Sequence, residues 1–253
     1  MRALESKAGF AEVFYQACCI DECGSMRRSL QLSLAAVFAA LHATLYLVSF
    51  GLWRNWGIYL EALEGIILGP KIGFLAALLG GSIARVIKPD PLFWMFGIVA
   101  EPVSVLVAGL LSKAKWKPAL LVYAAMLLAY FAHPYGRALP FWTIMDVLFA
   151  LAVIYPAARL SKYLFKTEAK RLLPIALALV SFVCIATDSL VRVFLLIPCG
   201  LYTTFFSSFE VLSAVFVGAA FDSYIEDVIV VVVSLVVGVP LLIGILKLKV
   251  LNK

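Results

Sequence analysis

Glu61 and Glu64 stand three residues apart in the apolar run IYLEALEGIIL, so a helix there puts both carboxylates on one face. Asp188 and Arg192 stand four apart in a second apolar run, close enough to neutralise each other on one helix. Glu101 and Asp146 interrupt two further apolar runs and have no opposite charge at helical spacing. An ionised side chain at the centre of a membrane helix costs roughly 2.5–3.5 kcal/mol on insertion scales, so each needs a partner, a polar cavity or a solute. Trp53, Trp56, Trp94 and Trp142 lie near the same end of their segments as most of these charges. Carboxylates beside aromatic rings suit the capture of a small amphipathic solute, planar or amine-bearing, through ring contacts and a few polar anchors. On this reading Trp53, Trp56, Glu61, Glu64 and Asp146 contact the solute. Plainer readings stand beside it. The tryptophans fit an interfacial belt, Glu61 and Glu64 can reach to the outer surface, and His42 and His133 fit ordinary packing better than ligation.

Other chemistry is poorly provided for. The chain has no G-x4-G-K-[ST] loop to cradle nucleotide phosphates, no H-E-x-x-H and no G-x-S-x-G. Cys18, Cys19 and Cys23 crowd together without a histidine or fourth cysteine nearby, so no metal or other cofactor is expected. No acid and base are paired at a spacing that points to catalysis, so the chain does not read as an enzyme.

These residues need elements to hold them, and the composition says which. Of 253 residues 64% are hydrophobic and 14% charged, against about 25% charged in ordinary soluble domains. Apolar segments run over 29–50, 58–68, 72–87, 92–111, 119–132, 141–163, 172–197 and 225–246, with 202–221 ambiguous. The expected fold is an all-α integral membrane protein, a polytopic bundle of about 6–8 transmembrane helices. Residues 1–25 are mixed and polar and read as a dispensable or disordered extension, and 26–253 as one helical membrane domain.

With the N-terminus cytoplasmic, Arg27, Arg28, Lys71, Lys113, Lys115, Lys117, Arg159, Lys162, Lys166, Lys170, Arg171, Lys247, Lys249 and Lys253 fall inside. Only Arg54, Arg85, Lys88 and Arg137 then fall outside. The net charge of +6 is therefore a topology signal, not a nucleic-acid footprint. Both termini are expected in the cytoplasm, in a multi-pass protein of the cell membrane. The same rule reads 202–221 as an outer loop or re-entrant half-helix, since a full crossing would put Lys247 and Lys249 outside.

The first span carries alanines at 35, 39 and 43, with Ala36 and Ala40 beside them, a flat ridge that lets another backbone come close. Arg27-Arg28 precedes it. Glu64-Gly65-Ile66-Ile67-Leu68-Gly69-Pro70-Lys71-Ile72-Gly73 and Gly80-Gly81 follow, and Gly238-Val239-Pro240 precedes a basic tail. In these features the chain resembles the substrate-binding S components of energy-coupling factor (ECF) transporters, best over residues 26–112. The stretch Leu68-Gly69-Pro70 to Gly73 looks like that family's L-G-P-x-x-G link. The resemblance implies a helical subunit that captures a vitamin or related micronutrient at the outer face. It also implies a membrane T component, docked on the Ala35, Ala39 and Ala43 ridge, and two cytosolic ATPase subunits that supply energy. The family commonly has six spans; by that measure either the hairpin at 119–163 is extra or some of the short segments do not cross. Two other readings remain: an intramembrane enzyme acting on a lipid or prenyl substrate, and a non-catalytic assembly partner.

Overall fold

Unbroken apolar stretches punctuated by Gly-Pro and Lys-rich turns fold here as helices packed side by side. The computed structural model describes residues 28–49, 54–89, 96–166 and 171–251, and among these there is no strand. The helices are α1 (Arg28–Val48), α2 (Ile58–Leu68), α3 (Pro70–Ile87), α4 (Gly97–Ser112), α5 (Trp116–Ala132), the short α6 (Pro134–Ala138), α7 (Met145–Leu160), α8 (Leu173–Leu196), the one-turn α9 (Tyr202–Phe205) and α10 (Phe209–Leu251). A 3-10 turn at Phe141–Ile144 leads into α7, and another at Ser161–Tyr163 leaves it. Among the described residues, five helical stretches are long and apolar enough to cross a bilayer: Ser29–Val48, Pro70–Ile87, Phe141–Tyr163, Leu173–Leu196 and Phe209–Lys247. Gly97–Ser112 and Trp116–Ala132 are shorter apolar helices between them. This is a helical, multi-pass membrane architecture.

Burial sorts the helices. Most of the apolar length of α8 is buried and little of α1 is, so α8 is the central post and α1 lies at the periphery. The short helix α2 is enclosed as well, with Ile58, Glu61, Ala62, Leu63, Glu64, Gly65, Ile66 and Leu68 all buried. It can sit so deep because its neighbours have almost no side chain at the crossing. A Cβ on Gly65 would come within 2.4 Å of the Val105 carbonyl oxygen of α4. One on Gly109 would meet the Pro70 nitrogen at 2.5 Å. Between them Gly69, with φ of 78°, makes the turn that joins α2 to α3, and Pro70 starts the new helix at a position where its missing N–H is no loss.

Turns at one end of the bundle gather the basic residues. The Gly69 turn lies against the Lys113 side chain, and Ser161 after α7 donates to the Leu111 carbonyl at 2.5 Å. Trp116 packs edge-on against Tyr155 near Lys162 and Arg159. The far end carries the start of α2, the start of α4, the Phe141–Ile144 turn and the end of α8.

One expectation fails. Residues 202–221 are not a separate outer loop or half-helix: α9 takes one turn, and from Phe209 the chain runs without a break through 225–246 as a single helix of 43 residues. At about 1.5 Å per residue that is about 64 Å, twice the hydrocarbon thickness. Asp222, Ser223 and Tyr224 do not break it, and Ser223 and Tyr224 find partners across the bundle. Pro240 sits inside α10 without ending it.

Replacing Gly65 by Val should destabilise the protein by about 1–3 kcal/mol through overpacking of α2 on α4. Gly244→Val, where nothing lies within 4 Å of the added Cβ, should leave stability unchanged. Unfolding of the two purified variants in the same detergent checks the contrast.

Candidate functional site

A guanidinium taken out of water needs all its N–H groups matched, and Arg54 shows how many elements that takes. It sits in the turn between α1 and α2 and is 4% exposed. Its Nε donates to Glu226 Oε2 at 2.6 Å and its backbone N–H to Glu226 Oε1 at 3.2 Å. Nη1 reaches Asp188 Oδ2 at 3.4 Å and Ser189 Oγ at 3.2 Å on α8. Nη2 reaches Ser223 Oγ at 2.9 Å and Asp227 Oδ1 at 3.4 Å on α10. One side chain thus ties the α1–α2 turn to α8 and α10.

A second hub is an anion. Glu101 of α4, fully buried, accepts from Asn55 Nδ2 at 2.6 Å, from Arg85 Nη2 at 2.7 Å and from Arg85 Nη1 at 3.3 Å. His42 of α1 lies between two carboxylates, with Nε2 3.0 Å from Glu101 Oε2 and Nδ1 3.3 Å from Glu64 Oε2. Arg192 joins the two hubs: it pairs with Asp188 at 2.7 Å and lies 3.6 Å from Glu101. The network is thus continuous from Glu64 through His42, Glu101, Arg192 and Asp188 to Arg54, Glu226 and Asp227.

Its charges do not balance. Glu61, Glu64, Glu101, Asp146, Asp188, Glu226 and Asp227 face Arg54, Arg85, Arg192 and His42. Even with His42 protonated, three negative charges have no counter-ion among the described residues. The orphaned atoms say where: Glu61 Oε1, Glu64 Oε1, Asp146 Oδ1 and Asp227 Oδ2 are buried without a hydrogen-bond partner. Burying an unpaired carboxylate is so costly that such groups hold a proton or receive a cation. No grouping of three metal-ligating side chains occurs among the described residues.

Beside Arg54 the bundle opens into a cavity of about 140 Å³. Its walls are apolar, from Phe96, Ile144, Leu196, Leu212 and Phe216 among others, and one end is polar, with Arg54, Asp146, Ser189, Arg192, Ser223 and Glu226. The N-terminal half of α10, from Leu212 to Glu226, forms one wall.

Of the four described residues expected at the solute, Asp146 lines this cavity and Trp56, Glu61 and Glu64 do not. Trp53 lies outside the described residues. Trp56 is half-buried in the α1–α2 turn, its backbone N–H donating to Ser49 Oγ at 2.7 Å, and is not part of the wall. Glu61 and Glu64 do not reach an outer surface: α2 is enclosed, and they are 1% and 0% exposed. Glu61 instead accepts from Ser104 Oγ at 2.5 Å, beside Cys184. Ala35, Ala39 and Ala43 are half-buried, and Ala39 is pressed against Gly80 of α3, so the first backbone to approach this ridge belongs to the same chain. Ala36 and Ala40 are exposed.

Sequence reasoning passed over His42, Arg54, Arg85 and Asp227. Ser223 and Asp227 sit four apart with Glu226 between them, a spacing that marks one polar face of α10. Arg54, placed in a short Trp-rich turn, carries no comparable signal.

The destabilisation expected of Arg54→Met is about 3–5 kcal/mol, the cost of leaving buried carboxylates without their cation. Adding Glu226→Gln to it should recover part of the loss, whereas Glu61→Gln alone should be near neutral, since that carboxyl has no cation to lose. Thermal unfolding of the purified variants in one detergent reads all three.

The comparisons with known proteins give one distant relative, an uncharacterized protein of Methanocaldococcus jannaschii. It is 27% identical over 132 residues, which cover 52% of this chain and 44% of that protein. No family model matches the chain, and no solved structure does.

Proposed function

We propose that this chain is a substrate-binding subunit of a membrane importer of the ECF type, a receptor that captures a small vitamin-like solute and relies on other subunits for energy. The observation that carries the reading is the cavity beside Arg54, apolar on its walls and polar at one end, set into a membrane bundle at the end opposite the lysine-rich turns. An amphipathic solute fits such a site: its apolar body replaces water along Phe96, Leu212 and Phe216, and its polar group meets Asp146, Ser189 and Ser223. By the bias of its Lys and Arg residues the cavity end faces outward.

The partners on this reading are a membrane T component and two cytosolic ATPases. Docking would use the first helix, and Ala39 is already occupied by Gly80. The free part of the small-residue surface is therefore Ala36 and Ala40, which are exposed beside Leu32, Val37 and Leu41.

Mass spectrometry of the small molecules that co-purify with the full chain in mild detergent tests the receptor. Ala219→Phe, which fills the cavity, should cut the retained solute at least tenfold while the protein stays folded; equal retention would place the solute elsewhere. Docking has its own test. Ala40→Trp should leave solute retention within about twofold and abolish uptake by cells that supply the partner subunits, and normal uptake would remove α1 from the docking face.

A further inference from the structure

The cavity has a polar end, and its chemistry is uneven. Both guanidinium groups that reach it are already matched: Arg54 by Glu226, Asp188 and Asp227, Arg192 by Asp188 and Glu101. Glu226 is matched in turn, since Arg54 donates to both its oxygens. Asp146 is different. It lines the cavity and makes no ion pair: its Oδ2 lies 3.5 Å from the Ser223 hydroxyl, the backbone N–H groups of Asp146 and Val147 at the start of α7 face the carboxylate, and its Oδ1 is buried without a close donor. Behind it stands Asp227, 3% exposed, which interacts with Asp146 side chain to side chain and also keeps an oxygen, Oδ2, without a donor. Two carboxylates in direct contact in a dry site cannot both stay ionised; they share a proton or bind a cation.

We infer that the Asp146–Asp227 pair is the binding position for the positively charged amine of an organic solute whose body fills the adjoining apolar cavity. This rests on the receptor reading and adds the class of solute: a small organic cation. The exchange is balanced. An ammonium ion enters with its single charge, the proton shared by the two carboxyls leaves to water, and the net charge of the site does not change. The pair holds its place at the polar end because the residues around it are fixed by other contacts. These are Arg54 from the α1–α2 turn, Tyr123 of α5, whose hydroxyl donates to the Val147 carbonyl, Asp188, Ser189 and Arg192 of α8, and Ser223, Tyr224 and Glu226 of α10. Among these, Arg54 and Arg192 are the cations; neither pairs with Asp146, and within the pair only Asp227 Oδ1 touches one, Arg54 Nη2 at 3.4 Å.

A cavity near 150 Å³ has room for a benzene-sized body, which sets the probe. Benzylamine and its neutral counterpart benzyl alcohol are titrated against the purified full-length protein in detergent by calorimetry. Benzylamine is expected to bind at least tenfold more tightly than benzyl alcohol, to release about one proton when the heats are compared in two buffers of different ionisation enthalpy, and to weaken as the pH is lowered. In Asp146→Asn the preference should vanish while benzyl alcohol binds as before, which shows that the variant is folded. Equal binding of the two probes to the native protein would overturn the cation position and leave the receptor cavity standing. No binding of either would overturn both.

Discussion

Arg54 has to be neutralised where there is no water, and much of the arrangement at the cavity end follows from that. Its partners lie at positions 188, 189, 223, 226 and 227, so the α1–α2 turn, α8 and α10 can come together in only one relative rotation that serves all of them. Buried ion pairs are weak sources of net stability, since desolvation offsets most of their attraction. Their value lies in direction. An apolar helix surface tolerates sliding and rotation at little cost, whereas a guanidinium with donors on three sides does not. The apolar contacts and the close glycine crossings bring the helices together, and the network fixes how they are turned.

The second hub works on the same principle with the signs reversed. Glu101 is an anion ringed by Arg85, Asn55 and His42, and it draws α1 and α3 onto α4. With a carboxylate at each ring nitrogen, His42 completes its bonding only when both nitrogens carry protons or when one carboxyl supplies a proton of its own. Gly81 beside it has no side chain to block the approach of Arg85 and Glu101, so the glycines of α3 serve the polar network as well as the packing. Small residues and ion pairs are here parts of one device: the first bring backbones near enough for the second to close.

The helical class, the short helix at 58–68, the span at 141–163 and the presence of charged residues within apolar runs were all legible in the sequence, because hydrophobic run length and the cost of intramembrane charge are local properties. Partner identity was not. Asp188 and Arg192 show their mutual pairing by spacing alone, but their contacts with Arg54 and Glu101 depend on how three helices are rotated. Glu61 and Glu64 sit at the start of a short helix, which suggested access to the surface; they are sealed because glycines on α2 and α4 let that helix sink into the bundle, and no periodicity within 58–68 reports what packs around it. The break expected after residue 221 failed for a related reason. Asp222, Ser223 and Tyr224 look like loop residues when read one at a time, yet two of them are helical side chains turned toward the rest of the bundle.

The surplus of acid over base divides in two, and the division matters. Glu61 and Glu64 lie in the closed interior, one on Ser104 and the other on His42, and neither lines the cavity. Asp146 lines an open cavity, and Asp227 stands behind it. A network with every charge matched would be inert there, since any incoming group would first have to break a pair. A site with too many cations would hold anions instead. Asp146, which makes no ion pair with the arginines that others already satisfy, and the free Oδ2 of Asp227, whose Oδ1 pairs with Arg54, leave one position whose occupant can change while the links that orient α8 and α10 stay in place. Binding and structural integrity are thereby carried by different atoms of the same charged cluster.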